Sequence, residues 1–192
     1  RACGVALLAS EVDDLSDRAG AIVFCAQMCG LVCTDARGIA LRPSLVWLDK
    51  RSAPLMEEVL GRWPRISGYG VDALIRWLPI ANGAPSHNGM DPPGKMLWVM
   101  RNEPEIYERT RYLLDVKDWL LHRATSEFVT TADSANLTWL MDTRPGREGW
   151  SGSLLKHLGI PIEKLPRIVE GDTVVGGLTA PAAGQLGLRA DI

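Results

Sequence analysis

The sequence predicts an α/β fold, because short apolar segments that suit buried strands alternate with longer segments whose apolar residues recur at helical spacing. Its 192 residues suffice for one domain with a sizeable core, or for most of a larger one. Apolar residues make up 46% and charged residues 23%, which is typical of an ordinary globular protein.

The first quarter of the chain predicts one helix, one strand and one hairpin. An amphipathic helix is predicted between Val5 and Leu15, where apolar residues recur every three to four positions. The apolar segment 21–24 follows a glycine and suits a buried strand. The segments 31–34 and 39–47 flank a short polar turn with a glycine where a positive φ is needed, which predicts a hairpin.

Helices are predicted through the remaining chain, separated by one long loop. Ser52 is predicted to cap the first of them through its side chain, with Pro54 in its first turn. The loop 81–94 is rich in Pro, Gly and Asn, and loops of 14 residues are often functional. The predicted helical segments are 52–60, 71–78, 95–101, 104–111, 117–122, a segment capped by Ser151 and ended by Gly159, and a short helix before Gly187. The residues predicted to face inward are Leu55, Val59 and Leu60 in the first helix, and Val71, Leu74, Trp77 and Leu78 in the second.

The charge pattern argues against two classes of partner. The net charge is −2 and the charged residues are scattered, whereas nucleic-acid or membrane-surface binding requires a basic face. No apolar run approaches the roughly 20 residues that span a bilayer. We therefore predict neither nucleic acid nor membrane as a partner, and a cytoplasmic location.

Three cysteines, Cys25, Cys29 and Cys33, lie four residues apart, which raises the question of a metal site. Zinc sites prefer a close pair of ligands with a second pair elsewhere, and the sequence has no such second pair. Small buried thiols in a reducing compartment explain the pattern better. We therefore predict no metal site.

Six segments stand in the same order as the motifs of one enzyme family. They are Ala26-Gln-Met-Cys-Gly30, Trp47-Leu-Asp-Lys-Arg51, Lys95-Met-Leu-Trp-Val-Met-Arg-Asn-Glu-Pro-Glu105, Val116-Lys-Asp-Trp-Leu120, Thr125-Ser-Glu127 and Thr131-Ala-Asp-Ser-Ala135. Together they resemble the motifs of the FGGY carbohydrate kinases, and the chain is xylulokinase-like within that family. No single segment would suffice, but an unrelated α/β domain would require six ordered coincidences.

The resemblance implies a ribonuclease H-like or actin-like ATPase fold, in which two lobes close on ATP and sugar. Residues 1–192 are expected to form part of the N-terminal FGGY kinase lobe, without its first strands and without the C-terminal lobe. The implied activity of the full-length protein is ATP-dependent phosphorylation of a sugar, namely a ketopentose such as xylulose or a related polyol. The family often forms homodimers, which makes a homodimer a possible partner, and the sequence leaves the oligomeric state open.

The resemblance also implies a sugar-binding site, whose expected residues are Gln27, Met28, Cys29, Gly30, Trp47, Asp49 and Arg51. The first four form a turn that contacts the sugar, and Trp47 supplies an apolar plane for the C–H face. From the residues alone, Met28 and Trp47 suit core packing equally well, and Asp49 with Arg51 suits a local ion pair. Cys29 replaces the histidine that is usual in the family, which leaves the preferred sugar open.

Lys95 and Asp133 each have two interpretations. Lys95 suits a solvated helix residue better than a cation near the sugar or the phosphoryl group, and Asp133 could likewise line the cleft. Trp98, Lys117 and Asp118 match the family motifs, but a buried anchor and a charged pair at a helix start are expected of them.

The resemblance implies that the full-length enzyme uses ATP and Mg²⁺. The family binds phosphate and Mg²⁺ at an Asp-x-Gly-Thr turn and takes the sugar's proton with an Asp beyond this segment. The sequence contains neither that turn nor a Walker-type glycine loop, so no motif of this chain is expected to bind a cofactor. The chain is interpreted as a fragment that is inert alone. The alternative is a non-catalytic sugar-binding or regulatory protein derived from the kinase lobe.

Overall fold

The structure is a computed structural model that describes residues 14–190 and residue 192. Helices and strands alternate along the chain, as the sequence predicts. The helices are α1 (Leu15–Arg18), α2 (Ala53–Leu60), α3 (Val71–Ala81), α4 (Pro92–Asn102), α5 (Pro104–Arg109), α6 (Val116–Thr125), α7 (Ala132–Leu137), α8 (Gly152–Leu158) and α9 (Ala180–Leu186). The strands are β1 (Val32–Thr34), β2 (Arg65–Ile66), β3 (Tyr69–Gly70), β4 (Tyr112–Leu114), β5 (Val129–Thr131), β6 (Met141–Asp142), β7 (Gly149–Trp150) and β8 (Arg167–Val169), and a 3₁₀ turn spans Ile162–Lys164.

Two strand pairs join distant parts of the chain. β1 pairs antiparallel with β4, so that Cys33 lies opposite Leu113. β5 pairs parallel with β8, so that Thr130 lies opposite Ile168. A parallel pair requires a crossover, which α7, β6, β7 and α8 provide. The pairs β2–β3 and β6–β7 are local and antiparallel.

The main apolar core surrounds Trp77 of α3. The Trp77 side chain is fully buried, and its indole Nε1 donates to the carbonyl of Trp139 at 3.1 Å, which satisfies its one polar atom. Fully buried neighbours in the same cluster include Leu31, Met56, Leu60, Val99, Leu140 and Leu154. Since Leu31 precedes β1 directly, this core fixes the chain just after the predicted sugar-contacting turn.

The helices predicted from residue 52 onward are confirmed, with corrections to a cap and to an inward face. Ser52 does not cap α2 through its side chain, because its hydroxyl instead donates to the carbonyl of Gly89 at 2.7 Å. In α3 the buried face is Ala73, Trp77 and Ala81, and Leu78 is 49% exposed. The large Trp77 side chain is the only predicted inward residue of α3 that is fully buried, and small alanines flank it one turn away on each side.

The helix α8 begins and ends where the sequence predicts. The Ser151 hydroxyl accepts a hydrogen bond from the N–H of Leu154, and Gly159 ends the helix with a φ of 70°. The predicted inward residues Leu154, Leu155 and Leu158 are all buried.

The predicted hairpin forms, but its second arm is irregular. Gly38 has a φ of 74°, and the Asp35 carboxylate accepts two backbone N–H groups of the turn. The second arm makes isolated bridges to the first, among them Leu31 with Leu45, rather than a continuous strand. Pro43 contributes to this irregularity because it has no N–H to donate.

The predicted strand 21–24 is wrong. This segment has no strand assignment and pairs with none of the described strands. Val23 is 90% exposed, whereas Ile22 and Phe24 pack against a small cluster around α9 that includes Leu178. Its apolar character therefore reflects the packing of alternate side chains, not burial in a sheet.

The predicted helix between Val5 and Leu15 lies outside the described residues except for positions 14 and 15, and α1 shares only Leu15 with it. Among the helices that the structure describes, none has the length and apolar character needed to cross a membrane.

We expect Gly38→Ala to destabilise the fold far more than Gly146→Ala. Both glycines have a φ of 74°, so both substitutions carry the left-handed backbone cost of about 1–2 kcal/mol. A Cβ at Gly38 would also overlap the buried His122 ring, whereas a Cβ at Gly146 meets nothing within 4 Å. Overpacking adds about 1–3 kcal/mol. Urea unfolding of both variants measures the difference, and equal losses would contradict the clash.

Candidate functional site

The predicted sugar-contacting residues 27–30 form a tight turn before β1. Cys29 adopts the left-handed region with a φ of 57°, which costs a non-glycine residue about 1–2 kcal/mol. Its side chain is only 4% exposed, whereas Met28 is 53% exposed and Gln27 is also exposed. Burial raises the pKa of the Cys29 thiol to about 11, so the thiol stays protonated near neutral pH. The turn thus presents Gln27 and Met28 outward and Cys29 inward.

Gly30 permits the turn to approach the start of α6. A Cβ at this position would lie 2.6 Å from Val116 Cγ2 and 3.3 Å from the Asp115 carboxylate, so no side chain fits without a shift. The Gly30 N–H donates to Asp115 Oδ1 at 3.2 Å. Asp115 also accepts the N–H of Val116 at 2.7 Å and so caps α6. Its role was missed because the six motifs do not include it.

Trp47 lies beside the turn. Leu31 and Leu45 exchange two backbone hydrogen bonds of 2.9 and 3.0 Å, and the Lys95 ammonium contacts the carbonyls of both Cys29 and Trp47, so the segment at Trp47 lies close to the turn. The Trp47 side chain is 45% exposed, so it is not a core residue. Met28 and Trp47 thus both keep part of the side chain accessible, on two segments that the Lys95 ammonium holds close together.

Asp49 and Arg51 form the local ion pair that the sequence left open. Arg51 Nε donates to both carboxylate oxygens at 2.9 Å, and the guanidinium carbon lies 4.6 Å from the centre of the Trp98 ring. Partial burial acts to raise the pKa of Asp49, but the hydrogen bonds from Arg51 outweigh it and hold the pKa below its usual value. Asp49 is thus ionised and already paired at neutral pH.

Lys95 is not the solvated helix residue that the sequence favours. Its side chain is 0% exposed, and its Nζ donates to the carbonyls of Cys29 at 2.5 Å and Met90 at 2.6 Å. A longer contact of 3.4 Å reaches the carbonyl of Trp47. Burial lowers the pKa of Lys95, while nearby carboxylates including Asp49 oppose the shift. The sequence could not reveal these partners, because all three are main-chain atoms.

Asp133 lies elsewhere, in an open cleft of about 620 Å³. None of the residues 27–30, nor Trp47 or Lys95, lines this cleft; its walls are Gly20–Phe24, Lys117, Leu121, Thr125, Thr131, Asp133, 169–178 and Ile192. Asp133 is exposed, and a hydrogen bond from Thr131 lowers the pKa of its carboxyl. The structure therefore separates Asp133 from the residues around the turn.

Lys117 and Asp118 pair at the start of α6, as predicted, but Lys117 also faces the cleft. Its Nζ donates to Thr131 Oγ1 at 2.8 Å and lies 3.2 Å from Asp118 Oδ1, without hydrogen-bond geometry to that oxygen. Asp118 is 2% exposed, and burial raises its pKa to about 6 although Lys117 acts in the opposite sense. The sequence predicts the charged pair but not the position of Lys117 at the cleft.

The surface around the turn has the chemistry of a polyhydroxyl site. Gln27 offers both a donor and an acceptor, as each hydroxyl of a sugar does. Met28 and the Trp47 ring offer apolar contact for C–H groups. No group of three or more His, Cys, Asp and Glu side chains that could hold a metal ion occurs among residues 14–190 and 192.

Comparisons with known proteins agree with this chemistry. The family model for the N-terminal domain of the FGGY family of carbohydrate kinases matches residues 5–192. Xylulose kinase of Escherichia coli (strain K12) is 29% identical over 163 residues, which are 84% of this chain and 30% of the relative. L-fuculokinase of the same strain is 30% identical over 158 residues, which are 82% of this chain and 31% of the relative.

A crystal structure of a xyloylose kinase from Brucella ovis is similar over 96% of this chain and 35% of its own, with a TM-score of 0.74 and 30% sequence identity. The chain therefore spans about a third of the length of the relatives that it matches.

We expect Asp118→Asn to stabilise the protein at pH 8 and to change little at pH 4. The folded-state pKa of about 6 lies above the ordinary value of 3.8, so the folded state holds this proton more tightly. The free energy of unfolding therefore falls as the pH rises between these values, and the ionised carboxylate costs roughly 1–3 kcal/mol above pH 6. Urea unfolding at both pH values measures the effect.

The matched control is Asp142→Asn, for which the sign is opposite. A hydrogen bond from Arg144 lowers the pKa of Asp142, so the carboxylate adds stability above its unfolded-state pKa and the amide removes it at pH 8. Stabilisation of both variants at pH 8 would contradict the assignment.

Proposed function

This chain belongs to the FGGY family of carbohydrate kinases, and from that premise we propose that the complete protein transfers a phosphoryl group from ATP to a sugar hydroxyl. Its fold is that of sugar kinases with the actin-like ATPase architecture. This chain supplies mainly the sugar-binding part of the proposed site. The observation that carries the proposal is that Gln27 and Met28 are exposed and Trp47 is half-exposed, while the Lys95 ammonium holds the carbonyls of Cys29 and Trp47 close together.

The proposed roles follow from the exposure of each side chain. The Gln27 amide hydrogen-bonds hydroxyls of the sugar, and the Trp47 ring packs against its C–H face. Cys29 acts through its backbone, because its thiol is buried. Asp49 and Arg51 form an ion pair, and this pair contributes a polar border to the site.

We propose a ketopentose such as xylulose, or a related polyol, as the substrate. Xylulose kinases and L-fuculokinases of similar identity support a sugar of this general size. The thiol in place of the usual histidine removes a ring that could hydrogen-bond the sugar, so a ketose other than xylulose stays within the proposal.

The cofactors of the proposed reaction are ATP and Mg²⁺, whose chemistry is to supply and neutralise the phosphoryl group. Because the sequence lacks the family's Asp-x-Gly-Thr turn, we place ATP, Mg²⁺ and the base that accepts the sugar's proton in the two thirds of the relatives' length that this chain does not match. An enzyme that uses ATP suits the cytoplasm, where we propose that the protein acts.

We expect the complete gene product to release ADP when given ATP, Mg²⁺ and one member of a panel that contains xylulose, ribulose, fuculose and glycerol. Residues 1–192 alone should release none above background, because they lack the ATP-binding elements. A coupled ADP assay measures both. Binding of a sugar without ADP release by the complete product would favour the non-catalytic alternative, and absence of both would refute the proposed function.

Trp47→Ala should raise the KM for the sugar roughly tenfold or more, because the apolar plane of the site is lost. Trp63→Ala is the matched control, since Trp63 is 88% exposed, lies just before β2 and matches none of the family's sugar-contacting motifs. Steady-state kinetics with sugar and ATP varied separately measure both variants. Equal changes in the KM for the sugar in the two variants would show that Trp47 is not part of the site.

A further inference from the structure

The peptide unit between Cys29 and Gly30 is held at both of its polar atoms by buried or half-buried charged side chains. The carbonyl oxygen of Cys29 accepts from the ammonium of Lys95 at 2.5 Å. The N–H of Gly30 donates to the carboxylate of Asp115 at 3.2 Å. Both groups belong to one planar unit, so the two contacts together define its orientation.

The charges are arranged in the favourable sense. A peptide unit carries a dipole of about 3.5 D, with its negative end at the oxygen and its positive end at the N–H. The cation of Lys95 lies at the oxygen and the anion of Asp115 at the N–H, and each hydrogen bond is therefore charge-assisted. This arrangement opposes the backbone cost of the left-handed Cys29, whose φ is 57°.

Lys95 also connects the turn to two other segments. Its remaining contacts are the carbonyl of Met90 at 2.6 Å, in the long loop before α4, and the carbonyl of Trp47 at 3.4 Å. An ammonium has three donors, and three carbonyls surround this one. The same side chain therefore sets the position of Met28, through the next residue, relative to Trp47.

We propose that Lys95 and Asp115 are positioning residues, which together clamp the Cys29–Gly30 peptide unit and set the geometry of the sugar-binding surface without contacting the sugar. We call this pair of contacts the clamp. The inference rests on the proposed function, because the kinetic test measures the KM for the sugar. It assigns the effect of both residues to sugar affinity and not to the binding of ATP.

The test compares Lys95→Met with Lys164→Met in the complete gene product. Lys164 is the matched control, because its Nζ also donates to two main-chain carbonyls, those of Tyr107 and Thr110, far from the turn in sequence. We expect Lys95→Met to raise the KM for the sugar about tenfold or more, with the KM for ATP within about twofold of wild type. Lys164→Met should change neither.

A second pair of variants keeps the proposal testable if Lys95→Met does not fold. Asp115→Asn retains an oxygen that can accept from Gly30, whereas Asp115→Ala does not. We expect the alanine variant to reproduce the rise in sugar KM and the asparagine variant to recover most of the wild-type value. Equal sugar KM values for the two variants would overturn the clamp, as would an unchanged sugar KM in folded Lys95→Met.

Hydrogen exchange at the Gly30 amide separates this proposal from the proposed function. If the wild-type protein phosphorylates no sugar, the proposed function fails, but the clamp still predicts faster exchange at Gly30 in Lys95→Met than in Lys164→Met. Equal exchange in the two variants would overturn the clamp whatever the substrate.

Discussion

The burial of the Lys95 ammonium is the interaction on which the candidate site depends. A charge removed from water is costly unless its hydrogen bonds are replaced. Here three carbonyls replace them, and they come from the turn at Cys29, the turn at Trp47 and the loop at Met90. Because the ammonium needs all three, segments that are separated by as many as 61 residues are held in one arrangement.

The polar residues of the candidate site and those of the large cleft are different groups of side chains. Lys117 and Asp133 line the cleft, whereas the turn, Trp47 and the Asp49–Arg51 pair lie outside it. The extended segment 20–24 lines the cleft and leads directly into the turn. Any group that binds in the cleft therefore lies a few residues from the proposed sugar contacts along the chain, although the two surfaces share none of the residues predicted for the site.

Features that depend on local rules could be predicted from the sequence. Ser151 and Gly159 bound α8 because a side-chain cap and a left-handed glycine require only their neighbours. The turn at Gly38 follows from its own chemistry in the same way. Met28 and Trp47 are both partly exposed, which is compatible with the sugar contact that the family motifs imply. Their apolar character alone suits a core equally well.

The remainder could not be predicted because the deciding partners are distant or belong to the backbone. The sequence suggests that Lys95 is a solvated helix residue, and only its three carbonyl acceptors explain why it is buried. For the contact between Asp115 and the turn, the only indication in the sequence is the glycine at position 30. The segment 21–24 is apolar enough for a strand, but a strand also needs a partner, and hydrophobicity does not report pairing. The Lys95 ammonium holds the turn and Trp47 in place without any ligand. The conformational entropy lost in ordering these residues is therefore lost when the protein folds, and not when the sugar binds. Binding of the proposed sugar would then require little rearrangement, and its affinity would depend chiefly on how well the sugar's hydroxyls replace water at Gln27.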